Sequence, residues 1–361
     1  MRPGTLLELL YGQGLPAPAD NVEALARWFD ANAMAGSLER YLEGFALTVA
    51  AMASPAALER VAFEAAEDAL AQGAVLAEFR IAPLLFEPFG LSADAAVEAL
   101  LAGLARCAAL PTGLIVCAMR HLPPSETERA ARLALRFAGR GGAGAPQVVG
   151  FDLAGAERGH PPGEHAEALT LVRRAGLPMT LHAGEADVAE RVLEAGRLGA
   201  RRIGHGVHLA EALADPERRF VIDEVLALGL HLEVCPTSNV HTGAAASIAA
   251  HPITALWRAG LSLSVHADNP LMSRTSASAE MAALLRETPL TEQDLLAMTR
   301  QAAQASFLGT SAREAALRAI DAAIASTSSN ASVACTDAVP ASSLPEAARA
   351  RPAASLGAER R

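Results

Sequence analysis

Hydrophobic positions change their period once along this chain. Through residues 5–72 they recur at helical spacing, with Leu6, Leu9 and Leu10 on one face, and longer periodic stretches cover 22–30, 38–52 and 55–72. From Ala74 the pattern becomes short apolar runs of strand length, each followed by a helical stretch rich in Ala, Leu, Glu and Arg. The runs predict strands over 74–82, 113–119, 147–153, 177–182, 202–208, 230–235 and 261–267. Strand and helix in alternation imply a parallel sheet. Helices over 276–287 and 291–307 would complete an outer ring. Beyond Ser326 periodicity is lost and Ser, Ala, Pro and Arg dominate, so residues 326–361 are expected to be a disordered tail, with one barrel domain over 1–325.

Composition narrows the function classes. A chain of 361 residues, 51% hydrophobic, can bury a large core, and a formal charge of −10 argues against a nucleic-acid partner. All 30 basic residues are Arg, which excludes Schiff-base catalysis through lysine. Cys107, Cys117, Cys235 and Cys335 form no CxxC pair, and no run approaches the ~18 apolar residues that span a bilayer, so a reduced cytoplasmic location is expected. Neither GxGxxG nor a P-loop is present.

Several predicted strands end in reactive residues at their C-terminal ends, the functional face of an α/β barrel. The run Thr180-Leu181-His182-Ala183-Gly184-Glu185 is the sharpest example. Alone it is ambiguous: His182 could be a satisfied core histidine and Glu185 a first-turn helix carboxylate. Its companions are Asp152 to Glu157 (DLAGAE), His205 between two glycines (RIGHG), Cys235 to Asn239 (CPTSN) and His266 to Pro270 (HADNP). Histidines and aspartates gathered at strand ends beside a glutamate suggest a hydrolytic metal site, where a divalent ion lowers the pKa of water to ~7. Spacing alone leaves His205 open as a third ligand.

In order and spacing, FDLAGAE, TLHAGE, RIGHG, CPTSN and HADNPLMS resemble the adenosine deaminase family, from about residue 2 to 308. The resemblance implies a (β/α)8 TIM-type barrel with extra N-terminal helices, one catalytic Zn2+, and hydrolysis of adenosine or 2'-deoxyadenosine to the inosine nucleoside and ammonia. It implies that His182 and Asp268 are zinc ligands, that Glu185 protonates the purine ring, and that His205 orients and deprotonates the attacking water. The Gly155 backbone and Asn269 would bind the purine. Asn269 stands where many relatives carry a second Asp, which leaves another aminopurine, such as adenine or a modified nucleoside, as the alternative substrate. A catalytically inactive purine-binding paralogue is the reading from another class. His266 is expected to support the site, Cys235 to be packed rather than nucleophilic, and Ser238 and Asn239 to hold their loop.

The resemblance departs at the start. Relatives carry a strand with a His-x-His pair ahead of a segment like DGSLRPGTLLEL, and this chain opens at MRPGTLLELL. Seven predicted strands where a barrel has eight, and two clear ligands where catalytic zinc has three, lead to one expectation. It is an N-terminally truncated chain, short by roughly ten to twenty residues, with its first strand missing.

Overall fold

A computed structural model describes residues 1–140, 142 and 144–336. Met1–Asp321 form one compact unit and Ala322–Arg361 a second. The chain opens with helices α1 (Pro3–Gly12), α2 (Val22–Ala33), α3 (Leu38–Glu43), α4 (Phe45–Met52) and α5 (Pro55–Ala71). Strands and helices then alternate: β1 (Ala77–Ile81), α6 (Ala93–Ala105), β2 (Thr112–Met119), α7 (Pro124–Phe137), β3 (Val148–Ala154), α8 (Ala166–Arg174), β4 (Met179–Ala183), α9 (Glu190–Arg197) and β5 (Arg202–His205). The series continues with α10 (Leu209–Ala214), α11 (Arg219–Ala227), β6 (His231–Val234), α12 (Pro236–His241), α13 (Ile253–Arg258), β7 (Ser262–Val265), α14 (Ala277–Glu287), α15 (Glu292–Ala305) and α16 (Thr310–Thr336).

Every predicted strand is present, and several helices start where the sequence supplies caps. Ser54 accepts from the Ala57 N–H ahead of α5, with Pro55 in the first helical position, where its missing N–H costs nothing. Thr291 and Asp294 form a reciprocal capping box on α15. One boundary differs: α16 runs to Thr336, eleven residues into the expected tail. Residues 337–361 lie outside the described residues.

The sheet is parallel throughout, with strand order β1-β2-β3-β4-β5-β6-β7. It curls as a TIM-type α/β sheet, with β1 and β7 as its edges among the described residues. Register aligns Leu181, Ile203, Leu232 and Leu263 on neighbouring strands, and all four are 0% exposed under the helices. Each such side chain contributes about 1.5–3 kcal/mol by leaving water. The alternate positions Thr180, Arg202, His231 and Ser262, then His182, Gly204, Glu233 and Ser264, line the concave face.

That concave face is polar and tightly paired. Arg80 bonds Asp152 at 3.0 Å and also Glu233, while Arg202 pairs with Glu78 and Glu233 at 2.6 Å each. At the C-terminal ends of the strands, α1 to α4 form a separate apolar cluster that includes Leu6, Leu25, Phe29 and Tyr41, and it closes on Leu271 and Met272. Those two residues belong to the loop after β7, so the N-terminal helices roof the segment that carries Asp268. A Tyr41–Ser273 hydroxyl pair at 2.8 Å ties roof to loop.

Candidate active site

The C-terminal ends of β3 to β7 converge on one buried region. On β4, His182 turns Nδ1 to the Asp152 carboxylate of β3 at 3.1 Å. A carboxylate on one ring nitrogen orients the other as a metal donor. Gly204 on β5 is what lets the ring lie there, since a Cβ at that position would sit 3.0 Å from the His182 ring. Although burial opposes ionisation, His182 and Arg80 hold the Asp152 carboxyl below its usual range.

His205 ends β5 with φ 67, a left-handed conformation that is rare for a residue other than glycine. Period-two alternation would send its side chain with Ile203 toward the helices. The turned backbone instead brings the ring to 5.2 Å from the His182 ring, centroid to centroid, with Nε2 3.4 Å from a Glu185 oxygen. Such strain persists where surrounding contacts over-determine it, and it clusters at functional sites.

Glu185 lies just past β4 and is 3% exposed. Burial first, and then the negative charge of Asp268, push its carboxyl up to about 8, so it is protonated at neutral pH. The Thr242 hydroxyl donates to it at 3.1 Å. Its backbone is fixed by Glu157, whose carboxylate accepts from the N–H groups of Gly184, Glu185, Ala186 and Asp187 at 2.5–3.2 Å. From the other side, buried Arg120 donates to the carbonyl of His182 and, at 2.9 Å, to that of Leu153. Glu157 was visible in the sequence only as the last letter of DLAGAE, and nothing in spacing announces four backbone donors.

Asp268 follows β7 with φ 53 and accepts from the Ser238 hydroxyl at 2.8 Å and the Asn269 amide at 2.9 Å. Gly155, at φ 95 just beyond β3, packs where a Cβ would lie 2.8 Å from the His121 ring. His266 lies just beyond the end of β7. Its ring bonds Ser264 at 2.6 Å, in line with a supporting role. Buried Cys235 has its thiol pushed up by burial, which suits packing rather than nucleophilic attack. Asn239 holds more than its loop, because its amide reaches Nδ1 of His205 at 3.0 Å and a ring nitrogen of His251 at 3.2 Å. His251 carried no motif and was not singled out in the sequence.

The donor chemistry fits a divalent metal in part. His182 is oriented as metal-binding imidazoles are, and Asp268 adds a carboxylate, but among the described residues no group of three His, Cys, Asp or Glu side chains could hold an ion.

A profile of the family described as Adenosine deaminase matches residues 1–323. A Mycobacterium bovis BCG protein named adenosine deaminase is 42% identical over 323 residues, covering 85% of this chain and 86% of that one. Among solved structures, adenine deaminase from Arthrobacter aurescens superposes with a TM-score of 0.78 at 23% identity, over 90% of this chain and 95% of that one. An amidohydrolase from Burkholderia ambifaria, with bound Zn, gives 0.77 at 21% identity over 92% and 89%. The two structures speak to the fold alone.

Proposed function

The chain belongs to the adenosine deaminase family, and on that premise we propose that it hydrolyses the 6-amino group of adenosine and 2'-deoxyadenosine, giving the inosine nucleoside and ammonia. The observation that carries this reading is the placement of Glu185, a buried carboxyl 3.4 Å from His205 at the strand ends that bear His182 and Asp268, where burial and the charge of Asp268 favour its protonated form. Water attack at the purine C6 carbon drives electrons onto the adjacent ring nitrogen, and that displacement is costly unless an acid protonates the nitrogen at once. Glu185 is that acid. Gly155 and Asn269 are proposed to contact the purine. A zinc ion held by His182 and Asp268, when bound, supplies Lewis-acid activation of water. The other residues act on position and charge: Asp152 orients His182, Asp268 raises the affinity of Glu185 for its proton, and Thr242 fixes the carboxyl. The free, buried thiols of Cys107, Cys117 and Cys235 are in keeping with a reducing cytoplasmic setting, which forms part of the proposal.

The test is turnover by the purified, zinc-supplemented chain offered adenosine, 2'-deoxyadenosine and adenine separately, with products followed by absorbance and chromatography. Inosine and deoxyinosine are expected. Absence of both, or faster loss of adenine, overturns the reading.

A further inference from the structure

We propose that His251 and Asn239 are positioning residues that lock the neutral His205 imidazole with its proton on Nε2, so that the ring meets the reacting centre as a hydrogen-bond donor. The inference deepens the deaminase reading and rests on it for its catalytic consequence, but its physical content does not depend on turnover.

The direction of the chain is set by a backbone amide. The Ile253 N–H can only donate, and it points at Nδ1 of His251 at 3.1 Å. Nδ1 therefore accepts. Burial pushes His251 down to about 4, so the ring is neutral and its single proton sits on Nε2. That N–H donates to Oδ1 of Asn239 at 3.2 Å, which orients the amide. The Asn239 NH2 is then the group facing Nδ1 of His205 at 3.0 Å. His205 must accept there, and its proton is left on Nε2, the nitrogen 3.4 Å from Glu185. All three side chains are buried, at 2% exposure for His205, 0% for Asn239 and 4% for His251, so water cannot relieve a reversed arrangement. Rotating the amide would set NH2 against the His251 N–H, two donors in one contact.

The consequence is a change of role. A ring with Nε2–H donates to the attacking water or to Glu185, and has no free lone pair at Nε2 with which to accept a proton. This replaces the base role that the family resemblance assigns to His205. The protons then balance through Glu185 alone. Its carboxyl gives a proton to the ring nitrogen while the water oxygen bonds C6, and the resulting carboxylate takes one proton from that water. The remaining hydroxyl proton leaves with the amino group as ammonia when the C6–N bond breaks, and Glu185 is protonated again.

Two-bond 1H–15N correlation spectra of the zinc-supplemented protein labelled at histidine read the tautomer of each ring directly. His205 and His251 are both expected as Nε2–H in the wild type, assigned by loss of their signals in His205→Gln and His251→Gln. Asn239→Asp places an acceptor against Nδ1 of His205, so its ring is expected to gain the Nδ1 proton. In parallel kcat for adenosine should fall about 10–100-fold with KM unchanged. A wild-type His205 spectrum of the Nδ1–H form overturns the proposal, as does Asn239→Asp turning over at the wild-type rate. If the wild type does not deaminate adenosine at all, the deaminase reading fails while the spectra still decide the tautomer.

Discussion

Two buried glutamates, Glu233 on β6 in register with His182 and Glu185 just past the end of β4, are held in opposite protonation states. Glu233 is 5% exposed and Glu185 3%, so desolvation penalises both as anions. At Glu233 the guanidiniums of Arg80 and Arg202 overcome that penalty and hold the carboxyl well below the usual range. At Glu185 no guanidinium is bonded among the described contacts, Asp268 adds its repulsion, and the carboxyl rises to about 8. Burial is common to both regions, and the neighbouring charge decides the protonation state. The sheet therefore separates a structural ionic layer from an acid kept ready at the strand ends.

The largest effect that sharpens this contrast is expected at the acid. Glu185→Gln keeps shape and neutrality but holds no transferable proton, and should lower kcat by about 10²–10⁴-fold, read by steady-state adenosine turnover. In the wild type the same group should impose a limb on which kcat/KM falls as pH rises through about 8, since the required form is the protonated one. Persistence of full activity well above that pH would break the comparison from this side.

Breaking it from the other side means removing the compensating charge. Arg80→Met leaves Glu233 with Arg202 and Asp152 with His182 as their remaining charge partners, and should cost about 3–5 kcal/mol of unfolding free energy in urea titrations at neutral pH. The loss should shrink on acidification as those carboxylates take up protons, because groups held below their normal pKa contribute stability only while ionised. An undiminished deficit at low pH would count against the charge-pair account.

The smallest of the three concerns a carboxylate satisfied by backbone. Glu157→Gln exchanges an acceptor shared by several N–H groups for a donor, loosening the 184–187 segment. Turnover should drop about 10–100-fold. Hydrogen exchange at the amides of 184–187 should speed up while the strands stay protected, and uniform loss of protection would show a global rather than a local role.

Legibility followed the range of the interaction. All seven strands and the flanking helices could be read because hydrophobic period and caps are local properties. His182, Glu185, His205 and Asp268 could be named because each sits at a strand end inside a recognisable string. His251 could not, since its importance comes from a contact with Asn239 twelve residues away that no local pattern encodes. The same holds for Glu157, whose partners lie 27–30 residues downstream. Strand alternation would have turned His205 away from the site, and only its positive φ brings the ring back.

What the sequence determined by itself is the parallel α/β architecture, the family and the residue types that can do the chemistry, because these follow from short-range periodicity and ordered motifs. What the tertiary structure decided is the state of those residues: which carboxyl holds a proton, which ring nitrogen donates, and which backbone turns inward. Those states depend on desolvation and on charges and hydrogen bonds brought together from distant strands, and such terms exist only once the chain has folded.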